Sequence, residues 1–303
     1  MFSTSQTSHT CHAYDTSRAA QAFKAPHASR FAALACSAVL TGSLMACAST
    51  TSAPAAPPVS AALISELAPT GRLRAAINFG NPILASKDPA TGAARGVSVD
   101  LARELGRRIG VPVELVTVNS AGASVEAVKA GQVDIAFVAI DPVRGADMLQ
   151  TPPYVVIEGA YLVKNDSPIK TNADVDRPGN RIVVGNASAY DLFLTRELKA
   201  AKLVKAPSSP AVTDMFVAQN IEVAAGVKQQ LQADAQRLPG LRLLDGRFML
   251  IQQAMGLPKG RDNAARYVTD FIEEMKASGF VAEALKRHGI EGAAVAPAGR
   301  VAQ

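Results

Sequence analysis

The sequence predicts an α/β protein with two lobes, and three observations support this prediction. From residue 72 onward, short β-type runs alternate with helical stretches, a pattern typical of a parallel sheet with helical crossovers. The alternation stops near residue 157 and resumes near residue 181, so the same arrangement occurs twice. The chain has 303 residues, 48% of them hydrophobic, which suffices for about two ordinary domains with a buried core.

In the first half, the predicted elements follow the order β-α-β-α-β. The first helix is the clearest, because apolar residues recur at four-residue intervals from Val97 to Ile109 and Gly110 ends the run. A polar loop over 78–82 follows the first strand. The predicted elements are strand 73–77, helix 97–109, strand 113–118, helix 124–130 and strand 133–138.

The second half repeats the alternation without a residue-level repeat. Its predicted strands are 181–184, 203–204 and 221–225, with further β candidates at 241–244 and 248–251. Its predicted helices are 190–200, 212–218, 227–237, 263–278 and 281–288.

Residues 1–46 are predicted to be a signal peptide of the lipoprotein type. A polar segment with three basic residues precedes an apolar run over 31–45, which is too short and too interrupted to span a bilayer. The run ends in Leu44-Met45-Ala46-Cys47, which resembles the bacterial lipobox, whose cysteine is lipidated. The alternative is an ordinary signal peptide in which Cys47 has no role. Residues 48–60 lack hydrophobic periodicity, so we predict a flexible tether over 47–69.

Cleavage before Cys47 would leave one cysteine and one histidine, Cys47 and His288. That chain can form no internal disulfide and has no zinc-ligand spacing. A Ser-His-Asp or Cys-His active site is nearly excluded, so we expect no enzyme activity, no metal and no cofactor. The formal net charge falls from +5 to about +3, because cleavage removes three basic residues and one acidic residue. This small, dispersed excess argues against nucleic acid as a partner.

Several short segments occur in the order and spacing of a known family. In the first half they are 96–102 (GVSVDLA), 125–134 (VEAVKAGQVD), 141–144 (DPVR) and 153–154 (PY). In the second half, 182–188 (IVVGNAS) and 254–259 (AMGLPK) agree as well. The ordered set resembles the family 3 extracellular solute-binding proteins of the polar amino-acid-binding type. The resemblance runs from about residue 72 to residue 288.

The resemblance implies a type II periplasmic-binding-protein fold, with a ligand cleft between two lobes and a hinge of two strands. It implies a first lobe of 70–157 plus 254–290, a second lobe of 158–253 and a disordered tail over 291–303. Because ligands of α/β sheets bind beyond the carboxyl ends of strands, the facing loops of the lobes are expected to line the cleft.

Arg144 matches the family arginine that grips the α-carboxylate of the ligand, since a guanidinium offers paired donors in the geometry of a carboxylate. The alternative is that Arg144 is a surface residue at the start of a helix capped by Asp141. Asp141 stands where the family commonly has threonine, and helix capping is favoured over ligand contact. Asn78 and Asn81 follow the first strand, and each either contacts the ligand or caps the loop. The family places an aromatic residue after this strand, and Phe79 is the nearest one in the sequence. It belongs either to the cleft or to the core.

Ser188 lies at the turn into a second-lobe helix, where the family binds the carboxylate with a hydroxyl and backbone N–H groups; N-capping is its alternative. Tyr190 either forms a cleft wall or packs in the core. The family aspartate that binds the α-ammonium should fall where this chain has Gly226 and Val227. The resemblance places Val227 in the position of the missing acid, and Gly226 is a candidate ligand contact. The ligand is then an organic acid, or a zwitterion whose amine is met by Asp141 or by carbonyls.

The resemblance implies a substrate-binding lipoprotein of an ABC importer that closes around a carboxylate-bearing solute, an amino acid or a related organic acid. We expect a monomer in the periplasm, held to the membrane by lipid on Cys47, with permease subunits of the inner membrane as partners. Two alternatives stay open. One is a periplasmic dehydratase of the cyclohexadienyl or arogenate type, with Asp141 as the acid; the other is a ligand-sensing partner of a membrane receptor.

Overall fold

The structure, a computed structural model, describes residues 59–299, and its architecture is α/β as predicted. The predicted signal peptide, Cys47 and the tether up to residue 58 lie outside the described residues, as do residues 300–303. The described chain forms an eleven-stranded mixed sheet with helices packed against it, and a two-stranded hairpin.

The first lobe is built on three parallel strands, β1, β4 and β5. Its elements up to the first crossing strand are α1 (Ala61–Leu67), β1 (Leu73–Asn78), β2 (Ser86–Lys87), β3 (Ala94–Arg95), α2 (Val97–Ile109), β4 (Val113–Val118), α3 (Ala121–Lys129), β5 (Ile135–Ala139), α4 (Pro142–Asp147), β6 (Met148–Gln150) and β7 (Val155–Lys164).

The second lobe is built in the same way on strands β8, β9 and β10. The remaining elements are β8 (Arg181–Gly185), α5 (Ala189–Glu197), β9 (Lys202–Ala206), α6 (Val212–Ala218), β10 (Val223–Val227), α7 (Lys228–Arg237), β11 (Leu241–Leu243), β12 (Met249–Pro258), α8 (Asp262–Ala277), α9 (Phe280–Arg287) and β13 (Ala294–Val295), with 3-10 turns at Asn172–Asp174 and Ser209–Ala211.

Two long strands, β7 and β12, carry the chain between the lobes. The strand order is β4-β1-β5-β12-β7-β10-β8-β9. β7 and β12 pair antiparallel, with Gly159 opposite Met249 and Val155 opposite Gln253. Beyond this shared segment, β12 pairs with β5 and β7 pairs with β10. The predicted lobe boundaries fall at or within these two strands and stay a prediction, because the sheet runs on across them.

Helix α2 shows how closely the sequence pattern sets the local structure. Its residues Val97, Leu101, Leu105 and Ile109 are all buried, so the four-residue spacing marks the face that packs on the sheet. Gly96 precedes it with a φ of +125°, and a Cβ there would lie 2.3 Å from the carbonyl oxygen of residue 84. This position therefore requires glycine.

Each lobe fastens its first and third parallel strands with an arginine and a carboxylate. In the first lobe, Arg74 Nε and Nη2 donate to Asp134 at 3.0 and 2.9 Å, and Arg261 Nη1 donates to the same fully buried carboxylate at 3.0 Å. In the second lobe, Arg181 Nε and Nη2 donate to Glu222, both at 2.9 Å. The bidentate geometry fixes the strand ends in each lobe.

Both predicted flexible segments extend too far into the fold. Residues 61–67, expected in the tether, form α1, because Leu67 is fully buried and Glu66 accepts the amide of Ala264 at 2.9 Å. Within the expected disordered tail, β13 pairs with β7, so residues 294–295 are part of the sheet. Both elements are short, and they are ordered here by contacts with distant segments.

We predict that Asp134→Asn lowers the free energy of unfolding by about 3 kcal/mol, because two arginines lose a buried carboxylate. Urea denaturation monitored by circular dichroism measures this change. The matched control is Glu114→Gln, whose ion pair with Arg72 is exposed and should contribute little. Equal unfolding midpoints for Asp134→Asn and the control would contradict the prediction.

Candidate functional site

A cavity lies between the lobes, where several strands end. β1 ends at Asn78, β5 at Ala139 and β10 at Val227, and all three residues face the cavity. Its empty volume is about 410 Å³ when the open solvent at its mouth is included. The lining residues are Asn78, Gly80, Asn81, Ala121, Phe137, Val138, Ala139, Arg144, Ser188, Ala189, Tyr190, Ser209, Val227, Ile251 and Gln253.

Arg144 lies at the centre of this cleft and is 3% exposed. Its Nη1 donates to the carbonyl of Ala139 in the first lobe at 2.9 Å, and its Nη2 donates to the carbonyl of Ala187 in the second lobe at 2.9 Å. No carboxylate of the described residues forms an ion pair with it. A guanidinium has five N–H donors, so three remain for a ligand. Burial lowers the pKa of Arg144 to about 10, opposed by the nearby Asp141, so the side chain stays charged at neutral pH.

The loop before α5 brings the second lobe to the cleft. Ala187 has a φ of +55°, an uncommon conformation for a residue other than glycine, and its amide donates to Asp191 Oδ2 at 2.8 Å. Ser188 Oγ accepts the amide of Asp191 at 3.0 Å, so its N-capping role is present at a position that also lines the cleft. The first two amides of α5, from Ala189 and Tyr190, have no partner within the helix.

Two polar atoms in the cleft are buried and lack a hydrogen-bond partner among the described residues, Asn81 Oδ1 and Tyr190 Oη. Hydroxyls of Ser188 and Ser209 lie near Tyr190 and oppose the rise that burial causes in the pKa of its phenol, but neither is aligned as a hydrogen-bond partner. Asn78 Oδ1 is used, because it accepts the amide of Gly80 at 2.8 Å. Buried polar groups normally find partners, so these two atoms are candidate contacts for a ligand or for water.

Three of the predicted site residues do not line the cleft. Phe79 packs against the core, with Lys87 Nζ 5.6 Å from its ring centroid. Gly226 lies inside β10, where an added Cβ would meet Leu231, and its neighbour Val227 faces the cavity instead. Because successive strand residues point to opposite faces, the prediction was displaced by one position.

Asp141 caps α4 and does not line the cavity. Its Oδ1 accepts the amide of Val143 at 2.9 Å, the capping role that the sequence favoured. Its Oδ2 accepts from Arg196 Nη2 on α5 at 2.9 Å. The capping residue of the first lobe is therefore also ion-paired to the second lobe.

The sequence did not predict several residues of the cavity wall. Ile251 and Gln253 reach the cleft from the crossing strand β12, and their two-residue spacing was the available signal. Phe137 packs edge-on against Tyr154, with ring centroids 6.0 Å apart, and closes one side. Ser209 comes from a 3-10 turn that carries no apolar pattern, so nothing in the sequence marked it.

Residues 59–299 contain neither a cluster of metal-ligating side chains nor a helix that could span a membrane. No group of three or more metal-ligating side chains is present among these residues. None of the helices in this part of the chain has the length and apolar character needed to cross a membrane.

Comparison with known proteins gives a family match and a fold match. The sequence matches the model of the bacterial extracellular solute-binding proteins, family 3, over residues 73–291. No curated protein matches it. Solved structures with a similar fold include a mutant of ArgBP from T. maritima, with 20% identity, 76% of this chain and 100% of that chain covered, and a TM-score of 0.65.

Two further structures with this fold are an L-cysteine receptor and a complex with lysine. A solute receptor for L-cysteine of Neisseria gonorrhoeae has 22% identity, covers 76% of this chain and 94% of its own, and has a TM-score of 0.66. A putative binding component of an ABC transporter from Wolinella succinogenes, complexed with lysine, has 22% identity, 72% and 95% coverage, and a TM-score of 0.62. These similarities confirm the predicted two-lobed α/β fold.

We predict that the ion pair between Asp141 and Arg196 couples the two lobes by about 1 kcal/mol, because one partner is buried and the other is partly exposed. The measurement is a double-mutant cycle in urea with Asp141→Asn, which keeps a capping side chain, and Arg196→Ala. The coupling should shrink in high salt. Additive effects of the two substitutions in low salt would contradict the prediction.

Proposed function

This chain belongs to the bacterial extracellular solute-binding proteins, family 3, and we propose that it is the substrate-binding lipoprotein of an ABC importer. In this proposal it captures a small carboxylate-bearing solute, an amino acid or a related organic acid. Arg144 carries the proposal, as a buried, charged guanidinium that faces the cleft with free N–H groups and no carboxylate partner among the described residues.

A ligand carboxylate would complete the hydrogen bonding of the cleft. It would accept from the remaining Arg144 donors and from the free amides at the start of α5, where a helix N-terminus favours an anion. Arg144 belongs to the first lobe and α5 to the second, so one carboxylate would bridge both lobes. The ligand would therefore bind the closed arrangement more tightly than an open one and shift the population toward it.

The descriptions of the structural neighbours support a ligand of amino-acid size. One neighbour is a receptor for L-cysteine and another is complexed with lysine. The cleft of this protein offers amide side chains of Asn78, Asn81 and Gln253 beside an apolar wall, so a small solute with polar and apolar parts fits its lining.

The proposed location is the periplasm. In this proposal the signal peptide directs export, lipid on Cys47 holds the protein to the membrane, and the segment before α1 tethers the folded part. Permease subunits would receive the solute from the closed protein, and the binding protein would act as a monomer.

Binding fits the cleft better than dehydration does. One structural neighbour is described as an ancestral amino-acid-binding protein that is a precursor of cyclohexadienyl dehydratase, so the alternative has a relative of the same fold. A dehydratase needs an acid beside the leaving hydroxyl, and no carboxyl group is among the residues that line this cavity. A sensing role would use the same cleft and is tested by whether importer genes accompany this one.

We predict that Arg144→Ala weakens binding of the best carboxylate ligand about 100-fold, because two charge-assisted hydrogen bonds are lost. A thermal-shift screen of amino acids, hydroxy acids and dicarboxylates identifies the ligand, and calorimetry measures its affinity. Arg144→Lys keeps the positive charge but lacks the paired donors of a guanidinium, so it should retain part of the affinity. The control is Arg177→Ala on an exposed ion pair. Wild-type affinity in Arg144→Ala would refute the role of Arg144.

We predict that Cys47→Ala moves the protein from the membrane fraction to the soluble periplasmic fraction and abolishes labelling with radioactive palmitate. The matched control is Cys36→Ala, which changes a cysteine before the proposed cleavage site. Palmitate labelling that persists in Cys47→Ala, or loss of labelling in Cys36→Ala alone, would show that the lipobox assignment is wrong.

A further inference from the structure

The lining of the cleft carries one charged side chain within the described residues, and that charge is positive. Apart from Arg144, the cavity is lined by apolar, amide and hydroxyl groups and by glycine. A ligand with a single carboxylate and no other charge neutralises the closed cleft. An α-amino acid is neutral overall, so it leaves the charge of Arg144 uncompensated there. Burying an uncompensated charge is unfavourable, because closure removes the water that would solvate it.

The two carboxylates nearest the cleft are already engaged. Asp141 uses one oxygen for the amide at the start of α4 and the other for Arg196, each at 2.9 Å. Asp191 is fully buried, accepts the amide of Ala187 at 2.8 Å and forms an ion pair with Lys205 Nζ at 3.1 Å. Neither is among the residues that line the cavity, so neither faces a ligand bound there.

The backbone carbonyls beside Arg144 are engaged as well. The carbonyl oxygen of Ala139 accepts from Arg144 at 2.9 Å and from Gln150 Nε2 at 3.1 Å, which uses both of its lone pairs. The carbonyl oxygen of Ala187 accepts from Arg144 at 2.9 Å. The sequence had left open a zwitterion whose amine is met by Asp141 or by carbonyls. Asp141 does not line the cavity and the carbonyl of Ala139 has no lone pair left, so the structure disfavours these two partners.

The uncharged acceptors that remain suit a hydroxyl group. Asn81 Oδ1 is buried and lacks a donor, and Tyr190 Oη can either donate or accept. A neutral hydroxyl on the ligand can donate to Asn81 without adding charge to the cleft. An ammonium group at the same place would add a charge that no lining carboxylate compensates.

We propose that the cleft selects a small monocarboxylate with a hydroxyl group, a hydroxy acid, over the corresponding α-amino acid. This inference rests on the proposed function and specifies the class of its ligand. Val227 is the specificity-determining residue, because it ends β10 on the cavity wall and caps α7 without a side-chain hydrogen bond. A carboxylate at this position would face the cavity and compensate an ammonium group.

The first test compares matched ligands on the full-length wild-type protein by isothermal titration calorimetry. The pairs are L-lactate with L-alanine, and 2-hydroxy-4-methylpentanoate with L-leucine. Within the pair that binds, the hydroxy acid should bind about tenfold more tightly or better, since a buried charge without a partner weakens binding by at least that factor. An amino acid that binds as tightly as its hydroxy acid overturns this inference and leaves the proposed function standing. If no carboxylate in the wider thermal-shift screen binds, both this inference and the proposed function are overturned.

The second test changes the charge at one position. Val227→Asp should lower the affinity for the hydroxy acid and raise that for the amino acid, so that the preference shrinks or reverses. Val227→Asn has the shape of Val227→Asp without the charge, so it should shift the preference toward the amino acid less than Val227→Asp does. The same ratio of affinities in both variants would overturn the role of Val227, and the ligand pairs on the wild-type protein test the ligand class independently of either variant.

Discussion

The antiparallel pairing of β7 with β12 is the interaction on which the rest of this structure depends. These two strands are the middle of a sheet whose outer parts are separate parallel units, so they join the lobes, and β12 also supplies part of the wall of the cleft between them. Ile251 and Gln253 show the second role directly, since they belong to β12 and line the cavity. A change in the geometry of this pair would therefore change both the relation of the lobes and the shape of the site.

In the proposed function, Arg144 links that architecture to ligand binding. Burial of a charged guanidinium is costly unless its donors are satisfied, and here the lobes supply one carbonyl each, from Ala139 and Ala187. These two hydrogen bonds connect the lobes, and in the proposal the remaining donors would offer a carboxylate a site that spans both lobes. Closure and binding would then be coupled through one side chain, with the ion pair between Asp141 and Arg196 as a second link.

The lining of the cleft is a property of this chain's own side chains rather than of the shared fold. Structural neighbours of this chain include a cysteine receptor and a lysine complex, and the fold alone is common to them at this level of identity. The lining of this cavity has one positive charge and no acid among the described residues, which is an electrostatic property of particular side chains. Val227 ends a buried strand and presents an apolar side chain to the cavity.

By itself the sequence determined the family, the α/β class, the bounds of α2, β4 and α6, and Arg144 as a cleft residue, because each rests on local periodicity or a short ordered motif. It did not place α1 and β13, which lack strong patterns and are ordered by contacts with distant segments. Only the tertiary structure decided that Val227 rather than Gly226 faces the cavity, that Phe79 joins the core and that Asp141 pairs with Arg196. The physical reason is that strand orientation and pairing between lobes depend on residues far apart in the chain, and no local pattern encodes them.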